Sequence, residues 1–577
     1  MKTNIFNNTR LITTLEGFTL FSLLSFIFFE VGFYNFSYLE QWNTFIYDKE
    51  IYNGIFFQPG GVVNLISTFL IQFFAYPLLG ILITAFILTS IALLTTNILY
   101  SWSKNRVSFP LSLFLIAPLI FLHYNVNYNY SGTLALLLML ILIQVYLSLK
   151  KAIFIYPFSI LSTLLLYLFA GPIASLYVVL LIIIELSRFK SKSPFILLAP
   201  IVLFFSIRYT LTQGFAGEWN QLLLPNGYFT LRLNPGSIVY MPWIIIITLF
   251  VVCAISKLFT LSKRWMIYVT YLAIFLGASV FIMFGINRYI DRNNENFKEL
   301  NFYAKSSQWD KIIAKCSSIP INNLLFQNYL NVALAEKGEL AENLFKEPCV
   351  DIQTIYVVSN KTPYISALLS DVYFSMGHIA FSQRAAFEAN EGVGNFSPRM
   401  LQRLVQTNII YGAYGVADKY LKLLENTLFY KDWAEQYKKF LWNDAAVEAD
   451  PLLGSKRLCL FPDNRFSGIY GLDDDLKQII MSNPSHKLTI EYLGSLYLLF
   501  KDLPRFMETI NLLYENKQLK LPLPLYFQEA VVSFADGDKE ILKRYDIDDS
   551  IVNRYDSFKQ EPLKQPNSFW HFLKFRI

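Results

Sequence analysis

Long apolar runs fill the first half of the chain, and polar loops separate them. Up to about residue 287 these runs recur, whereas beyond Arg288 lysine and glutamate occur throughout. A helix needs roughly 20 apolar residues to cross a bilayer, and lipid permits only helices or closed barrels as spanning forms. The pattern predicts nine membrane-spanning helices, at residues 12–34, 78–100, 107–122, 132–149, 152–169, 171–187, 195–211, 240–257 and 265–287.

The loops between these segments differ in charge and length. Basic residues are concentrated at the N-terminus and in alternate loops, and the positive-inside bias places such loops in the cytoplasm. The other loops, 35–77, 123–131 and 212–239, are long, aromatic and rich in Asn and Gly. The pattern predicts a multi-pass protein with a cytoplasmic N-terminus, a long first outer loop over residues 35–77, and a C-terminal domain outside.

One apolar segment does not fit this alternation. Residues 62–76 are apolar but short, and Pro77 separates them from the next span. A full crossing here would invert every later loop and move the basic loops outside. We therefore predict a helix that lies in the outer membrane interface or re-enters from it. The alternative, a single bent span over residues 62–100, leaves the topology unchanged.

The second half of the chain consists of short amphipathic helix pairs joined by tight turns. These units resemble tetratricopeptide repeats in the aromatic residue of the first helix, the Gly at the turn and the Ala of the second helix. Such hairpins stack into a solenoid with a concave surface, and a generic helical domain is the alternative. The predicted fold is therefore all-α, with a polytopic membrane domain at 1–287 and an α-solenoid at 288–577. The turns are predicted near Ser307, Gly338, Gly377, Gly415 and Lys501.

Composition supports this division and excludes several functions. The chain is 54% hydrophobic and 16% charged, against about 25% charged residues in soluble domains. The net charge of +6 comes mostly from short loops, so it reflects topology and gives no reason to expect nucleic acid. Cys316 and Cys349 are either a disulfide pair or buried free thiols. The sequence contains no Walker loop, nucleophile elbow, HExxH or Rossmann glycine pattern.

Carboxylates in and before the first outer loop are candidates for chemistry. Glu30 lies near the outer end of the first span, where a carboxylate is costly to bury and tends to mark a site. Asp48 and Glu50 follow in the loop. Asp48 and Glu50 are candidate oxygen ligands for a divalent metal, Mg²⁺ or Mn²⁺, and Glu30 or Asp48 is a candidate general base. Solvated loop carboxylates are the alternative.

The other outer loops carry groups suited to a sugar and a phosphate. Residues 123–132 read His-Tyr-Asn-Val-Asn-Tyr-Asn-Tyr-Ser-Gly, and aromatic and amide side chains match a sugar face and its hydroxyl groups. Arginine matches phosphate in a fork geometry. Interfacial anchoring of the loop, and snorkelling or pairing with Glu218 for the arginines, are the alternatives. The candidate substrate-binding residues are Glu50, His123, Asn125, Asn127, Tyr128, Arg208 and Arg232.

The layout of residues 10–287 resembles the GT-C class of polyprenyl-phosphate-dependent glycosyltransferases. In that class a first span leads into a long outer loop with an acidic residue near its exit and interfacial helices, and further spans and an outer soluble domain follow. The resemblance implies an enzyme of the bacterial inner membrane that moves a sugar from a lipid-phosphate donor to an outer acceptor. Glu30 or Asp48 would act as base or metal ligand, and the periplasmic repeat domain would bind the acceptor or a protein partner.

Two other functions fit the same layout. A non-enzymatic scaffold would use the repeats to recruit an envelope protein and the spans as an anchor, and a transporter would move a lipid-linked sugar. The turn at 58–61 and the segment at 72–77, Gln-Phe-Phe-Ala-Tyr-Pro, are also similar to signatures of an uncharacterised bacterial multi-span membrane family. That similarity implies no function.

Overall fold

The computed structural model is helical in the residues that it describes. In this part of the chain there is no strand, and Tyr128 and Phe229 form an isolated antiparallel bridge. The chain divides into two compact units, Met1–Glu295 and Asn296–Ile577, close to the boundary predicted at 287/288. The structure describes residues 9–103, 107–187, 198–215, 218–230, 236–256, 264–321, 323–346, 351–355, 357, 359–461 and 471–575.

Unit 1, residues Met1–Glu295, is built from apolar helices around one hydrophobic core. The helices are apolar on most sides because lipid and core both accept apolar side chains. In chain order they are α1 (Thr9–Glu40), α2 (Lys49–Phe56), α3 (Gly61–Ile71), α4 (Pro77–Ser103), α5 (Ser108–Tyr124), α6 (Ser131–Ser148), α7 (Ala152–Ala170), α8 (Ile173–Ser187), α9 (Leu198–Thr212), α10 (Trp219–Leu223), α11 (Met241–Ser256) and α12 (Arg264–Tyr289).

Six helical segments in the described residues are long and apolar enough to cross a membrane. They correspond to six of the nine predicted spans. The other three predicted spans are helices α5, α8 and α9, which contain 17, 15 and 15 residues. By length alone, these three are shorter than the roughly 20 residues that a bilayer requires. The six membrane-length segments are Leu11–Glu40, Pro77–Trp102, Ser131–Ser148, Ile153–Ala170, Ser237–Ile255 and Trp265–Tyr289.

The short apolar segment before Pro77 forms a helix of its own. Helix α3 continues as a 3₁₀ turn through Ala75, and Tyr76 is extended, with φ −107° and ψ 100°. A residue that precedes proline is disfavoured in the α region, so the chain turns here before α4 begins. Residues 61–75 are therefore separate from α4 in backbone conformation.

Two glycines bring the α2–α3 turn against the α7–α8 turn. Gly60 and Gly171 have φ values of 82° and 76°, which glycine adopts without the steric cost of a side chain. The Gly60 N–H donates to the Leu168 carbonyl at 2.9 Å. A Cβ on Gly171 would lie 3.5 Å from the Gly60 Cα, so the two backbones pack in direct contact.

Tyr228 joins three connections of unit 1. Its hydroxyl donates to the Ala170 carbonyl and accepts the Ile173 N–H at 3.1 Å. Its own carbonyl accepts the Asn129 N–H at 2.9 Å. One buried tyrosine thus satisfies backbone groups on both sides of the α7–α8 turn and connects that turn to the α5–α6 loop. We call Gly60, Asn129, Ala170, Gly171 and Tyr228 the loop junction.

Unit 2, residues Asn296–Ile577, consists of short helices packed mostly as hairpins around two apolar cores. The helices from residue 292 onwards are α13 (Arg292–Lys305), α14 (Trp309–Ser318), α15 (Leu324–Lys337), α16 (Leu340–Asn343), α17 (Pro363–Met376), α18 (Ile379–Gly392), α19 (Pro398–Ile410), α20 (Tyr414–Glu425), α21 (Lys431–Tyr437), α22 (Asp444–Ala449), α23 (Pro451–Arg457), α24 (Leu472–Ser482), α25 (Lys487–Leu499), α26 (Leu503–Glu515), α27 (Leu525–Ala535), α28 (Lys539–Arg544), α29 (Asp549–Gln560) and α30 (Phe569–Phe575).

The hairpin turns lie close to the positions that the sequence predicts, with one correction. Ser307, Gly338, Gly377 and Lys501 all have positive φ at the turns. The turn predicted near Gly415 lies earlier, at Gly412, whose φ is 72°, because Gly415 is already inside α20. A helix that ends in a left-handed residue favours glycine, and here the chain uses the first of two neighbouring glycines.

We predict that Tyr228→Phe destabilises unit 1, because the buried Ala170 carbonyl and Ile173 N–H both lose the hydroxyl. Leaving a buried polar group unpaired costs about 1–3 kcal/mol. The midpoint of thermal unfolding of the full chain in detergent should fall. Tyr209→Phe is the control, because Tyr209 is 66% exposed and its change should leave the midpoint in place. Equal midpoints for both variants would contradict the role of Tyr228.

Candidate functional site

The predicted catalytic carboxylates have separate surroundings. Glu30 is exposed on α1. Asp48 is the N-cap of α2, and its Oδ1 accepts the Glu50 N–H at 2.8 Å. Glu50 is exposed in the first turn of that helix, where a negative charge suits the helix dipole. Asp48 therefore has a local structural role that explains its position.

A metal site at Asp48 and Glu50 would have few ligands. Among the described residues, no group of three or more His, Cys, Asp and Glu side chains is arranged to hold a metal ion. Asp48 and Glu50 offer two carboxylates, and one oxygen of Asp48 already serves as the helix cap. The Mg²⁺ or Mn²⁺ requirement stays a prediction.

His123 belongs to a buried polar network. Its side chain is 4% exposed, and its Nε2 lies 3.1 Å from Thr133 Oγ1. The Thr133 hydroxyl is in turn 3.2 Å from the Tyr128 hydroxyl. The Tyr130 ring packs against the imidazole with centroids 5.1 Å apart. His123 and Tyr128 are thus brought together, as the sequence suggests, but both are buried between helices.

The two predicted asparagines hold the backbone of their loop. Asn125 Oδ1 accepts the Asn127 N–H at 3.0 Å, and the Asn127 carbonyl accepts the Thr230 N–H at 2.9 Å. Both side chains are half-buried. The Asn125 side chain thus braces its own loop, and the Asn127 backbone ties that loop to the segment that follows α10.

The predicted phosphate-binding arginines do not join this group in the residues described. Arg208 is exposed on α9, and Arg232 lies outside the described residues. Neither Glu30 nor Arg208 has a side-chain hydrogen bond or ion pair within the described part of the chain. Cys349 also lies outside it, so the pairing of Cys349 with Cys316 stays a prediction.

Unit 2 contains a cavity that the sequence analysis missed. Its volume is about 460 Å³, within the range of small-molecule sites. The first helices of four successive hairpins, α13, α15, α17 and α19, contribute to its wall together with the start of α14 and with α21 and α23. We call it the cationic pocket, because its charged lining residues are Lys305, Glu336, Asp371, Arg399, Arg403 and Lys456.

Asp371 holds two arginines on one wall of the cationic pocket. Its two oxygens accept from Arg399 and from Arg403, the latter at 3.1 Å. The Arg403 guanidinium also lies 3.7 Å from the centroid of the Phe374 ring, a stacked arrangement that suits arginine. Burial lowers the pKa of Arg403, and arginine stays protonated in proteins. One carboxylate is therefore shared by two cations.

Lys456 lies deeper, and it is 4% exposed. Its ammonium donates to the Ser375 carbonyl at 3.0 Å and lies 3.0 Å from His486 Nε2. Burial lowers the pKa of Lys456 to about 8. Burial and the neighbouring Lys456 lower the pKa of His486 to about 3. At neutral pH the pair therefore carries one positive charge, on the lysine.

The sequence holds only a weak signal for this pocket. Asp371 and Phe374 are three residues apart on α17, and Arg399 and Arg403 are four apart on α19, so each pair shares a helix face. Such spacing is also common on solvated helix surfaces. What sequence reasoning could not supply is the packing of α17 beside α19 and of Lys456 beneath them.

Comparison with known proteins places the chain in a family. Residues 10–576 match a family described as a family of unknown function (DUF6057). The chain belongs to this family. No curated protein and no solved structure matches it. The DUF6057 match covers both units, so the family combines the apolar helical unit and the helix-pair unit in one chain.

We predict that Asp48→Asn preserves helix α2 and that Asp48→Ala frays it. Asparagine caps a helix about as well as aspartate, whereas loss of the cap costs about 1 kcal/mol. Hydrogen exchange of residues 49–56, measured by mass spectrometry, should rise in the alanine variant only. Asn53→Gln is the control, because Asn53 is exposed within the helix and does not form the cap. Equally fast exchange in the asparagine and alanine variants would contradict the capping role.

Proposed function

We propose that this chain is a membrane-anchored binding protein. In this proposal, unit 1 crosses the bacterial inner membrane nine times and unit 2 is a periplasmic, tetratricopeptide-like solenoid that binds its ligand in the cationic pocket. The observation that carries the proposal is the pocket itself, in which consecutive hairpins direct charged and aromatic side chains into one cavity.

Contacts at one set of helix ends support nine spans. Under that topology the N-terminal end of α1 and the N-terminal end of α12 are cytoplasmic, and Tyr271 donates to Glu16 at 3.0 Å. The C-terminal ends of α6 and α8 are also cytoplasmic, and Tyr146 donates to Glu185 at 2.7 Å. Cys253 near the end of α11 contacts the Leu99 carbonyl near the end of α4, at 3.7 Å. Each contact joins ends that the topology places on one side.

Contacts at the opposite ends support the same arrangement. Asn35, late in α1, donates to the His123 carbonyl at the end of α5, at 2.8 Å. The Phe121 and Tyr289 rings, at the ends of α5 and α12, stack with centroids 5.4 Å apart. The loop junction joins further loops, and the nine-span topology places all of these loops on the outer side of the membrane. If α5, α8 or α9 did not cross, some of these contacts would join opposite faces of the membrane.

One of the short helices, α5, is consistent with crossing because it is buried in protein. Most residues of α5 are buried, so lipid does not set the length that this helix needs. Helices α8 and α9 flank residues 188–197, which lie outside the described residues. Helix α3 lies beside the loop junction, and we propose that it rests in the outer interface rather than crossing.

The glycosyltransferase hypothesis stays a prediction. Unit 1 also has an apolar groove between α7 and α9, lined by residues such as Tyr167 and Phe205. Neither this groove nor the cationic pocket is lined by Glu30, Asp48 or His123. Asp48 and His123 have structural partners that account for them. The binding proposal rests on a cavity with charged groups in contact, which is why we prefer it to transfer chemistry at the first loop.

We predict that cysteine labelling in intact spheroplasts follows the nine-span topology. The background is Cys349→Ser, since Cys253, Cys316 and Cys459 are buried. A membrane-impermeant maleimide should label Asn53→Cys and Asp310→Cys, and it should label Lys151→Cys only after permeabilisation. Asn53 and Lys151 are exposed, and the Asp310 side chain is 81% exposed. External labelling of Lys151→Cys, or protection of Asp310→Cys until permeabilisation, would contradict the topology.

We predict that a photo-crosslinker in the cationic pocket captures a ligand in intact cells. The photoreactive residue p-benzoylphenylalanine is placed at Gln402, which lines the pocket. The matched control replaces Val416 on α20, which is 43% exposed and does not line it. Mass spectrometry should find a discrete adduct at residue 402 and none at residue 416. The same adducts at both positions, or none at either, would contradict binding in the pocket.

A further inference from the structure

We propose that the ligand of the cationic pocket is a small organic oxyanion, a carboxylate or phosphate attached to a flat apolar or sugar ring, and that Lys456 holds its charged end. This inference rests on the proposed binding function and adds the chemical class of the ligand and the residue that selects it. It follows from hydrogen-bond donors, charge and ring surfaces in the pocket.

Lys456 has a donor to spare. An ammonium group has three N–H donors, and two of them are directed to the Ser375 carbonyl and to His486 Nε2. No third hydrogen-bond partner of Lys456 is found in the part of the chain that the structure describes. The ammonium nitrogen also lies 5.4 Å from the centroid of the Phe374 ring. A buried charge is costly unless it is well paired, and Lys456 lines the cavity. An oxyanion in the pocket would supply the missing acceptor.

The surroundings of His486 identify the lysine as the charged partner. An ammonium group only donates hydrogen bonds, so His486 Nε2, at 3.0 Å, accepts from Lys456. On the other side of the ring, Nδ1 lies 3.4 Å from the Thr489 N–H and 2.6 Å from the Thr489 hydroxyl. The pKa of His486 is lowered to about 3 by burial and by Lys456, so the imidazole is neutral at pH 7. The positive charge of the pair is therefore on Lys456.

The charges around Lys456 leave the pocket positive. Four basic and two acidic side chains line it, and Asp371 is already shared by Arg399 and Arg403. Glu336, the other acidic residue, is exposed and has no ion pair within the described residues. An excess of positive charge in a concave site favours an anion. Arg403 lines the same pocket, and a guanidinium group offers further donors to an anion there.

The aromatic walls indicate what the anion is attached to. Trp309 and Trp433 line the pocket and are half-buried, and the Trp433 ring is stacked on Tyr437 with centroids 3.9 Å apart. Such supported rings bind flat apolar groups or sugar faces at low entropic cost. The volume of about 460 Å³ is suited to a single small ligand.

The test is calorimetric titration of the full chain in detergent, in phosphate-free buffer, with phenyl phosphate, phenylacetate and benzyl alcohol. These probes share a ring and differ in charge. We expect one or both anions to bind and the alcohol to bind at least about tenfold more weakly, as the loss of a charged hydrogen bond requires. Binding of one anion alone would support the inference and would distinguish a phosphate from a carboxylate ligand.

Variants identify the responsible residue. Lys456→Met keeps the apolar stem and removes the charge, and it should weaken the bound anion at least about tenfold. Lys419→Met is the control, because Lys419 is exposed outside the pocket and its change should leave affinity unaltered. Glu336→Gln should strengthen anion binding by a few fold, since it removes a like charge. The Glu336 variant keeps the test decisive if Lys456→Met does not fold.

The pH dependence separates Lys456 from the arginines. The titratable and charged groups around it are His486, Cys459, Glu336 and Arg403. Below its pKa of about 8, Lys456 is charged and its contribution to the affinity for the anion is fully present. As the pH rises through that value, the charge is lost and so is that contribution. Phenylacetate affinity should therefore be level below pH ~7 and should fall by up to tenfold per pH unit above ~8. In Lys456→Met this fall should vanish.

The outcomes separate this inference from the proposed function. Equal affinity for benzyl alcohol and both anions would overturn the inference and leave a pocket that binds without regard to charge. Binding of none of the probes would also overturn it, while the crosslinking result at residue 402 decides the proposed function independently. Anion binding that Lys456→Met and Glu336→Gln leave unchanged would place the anion elsewhere and overturn the assignment.

Discussion

The whole structure depends on one constraint, which is that polar groups removed from water must find partners inside the protein. Lipid permits only helices or closed barrels under this constraint, and the apolar runs of unit 1 are helices. The same constraint applies to the loops that connect these helices. Tyr228 satisfies the Ala170 carbonyl and the Ile173 N–H, and the Gly60 N–H reaches the Leu168 carbonyl. The loops are therefore bonded to one another as the helix backbones are bonded within themselves.

The same constraint locates the candidate site in unit 2. Asp371 balances part of the charge of Arg399 and Arg403, and His486 accepts from Lys456. After these partners are assigned, the lysine retains an unused donor and the pocket an excess of positive charge. A folded protein that keeps such a group out of water pays for it with stability, and binding an anion recovers that loss.

The parts of the fold that depend on local patterns could be predicted from the sequence. Apolar runs gave the membrane-length helices, and glycines such as Gly338 and Gly377 marked hairpin turns. The turn at Gly412 was misplaced because the nearby Gly415 gives an equal signal, and only the helix end decides between them.

The candidate site depends on long-range packing. His123 and Tyr128 lie in one short stretch of sequence, but their burial against Thr133 and Tyr130 is set by how α5 and α6 pack. Lys456 meets His486 only in the folded unit, and no local pattern reports that contact.

The most direct test of the account is native mass spectrometry of the full chain released from micelles after purification from its own membranes. The account predicts that wild-type protein carries a bound species of discrete mass, and that Lys456→Met carries much less of it than Lys419→Met does. The same species in equal proportion on all three proteins would contradict the central claim that the unpaired donor of Lys456 holds the ligand.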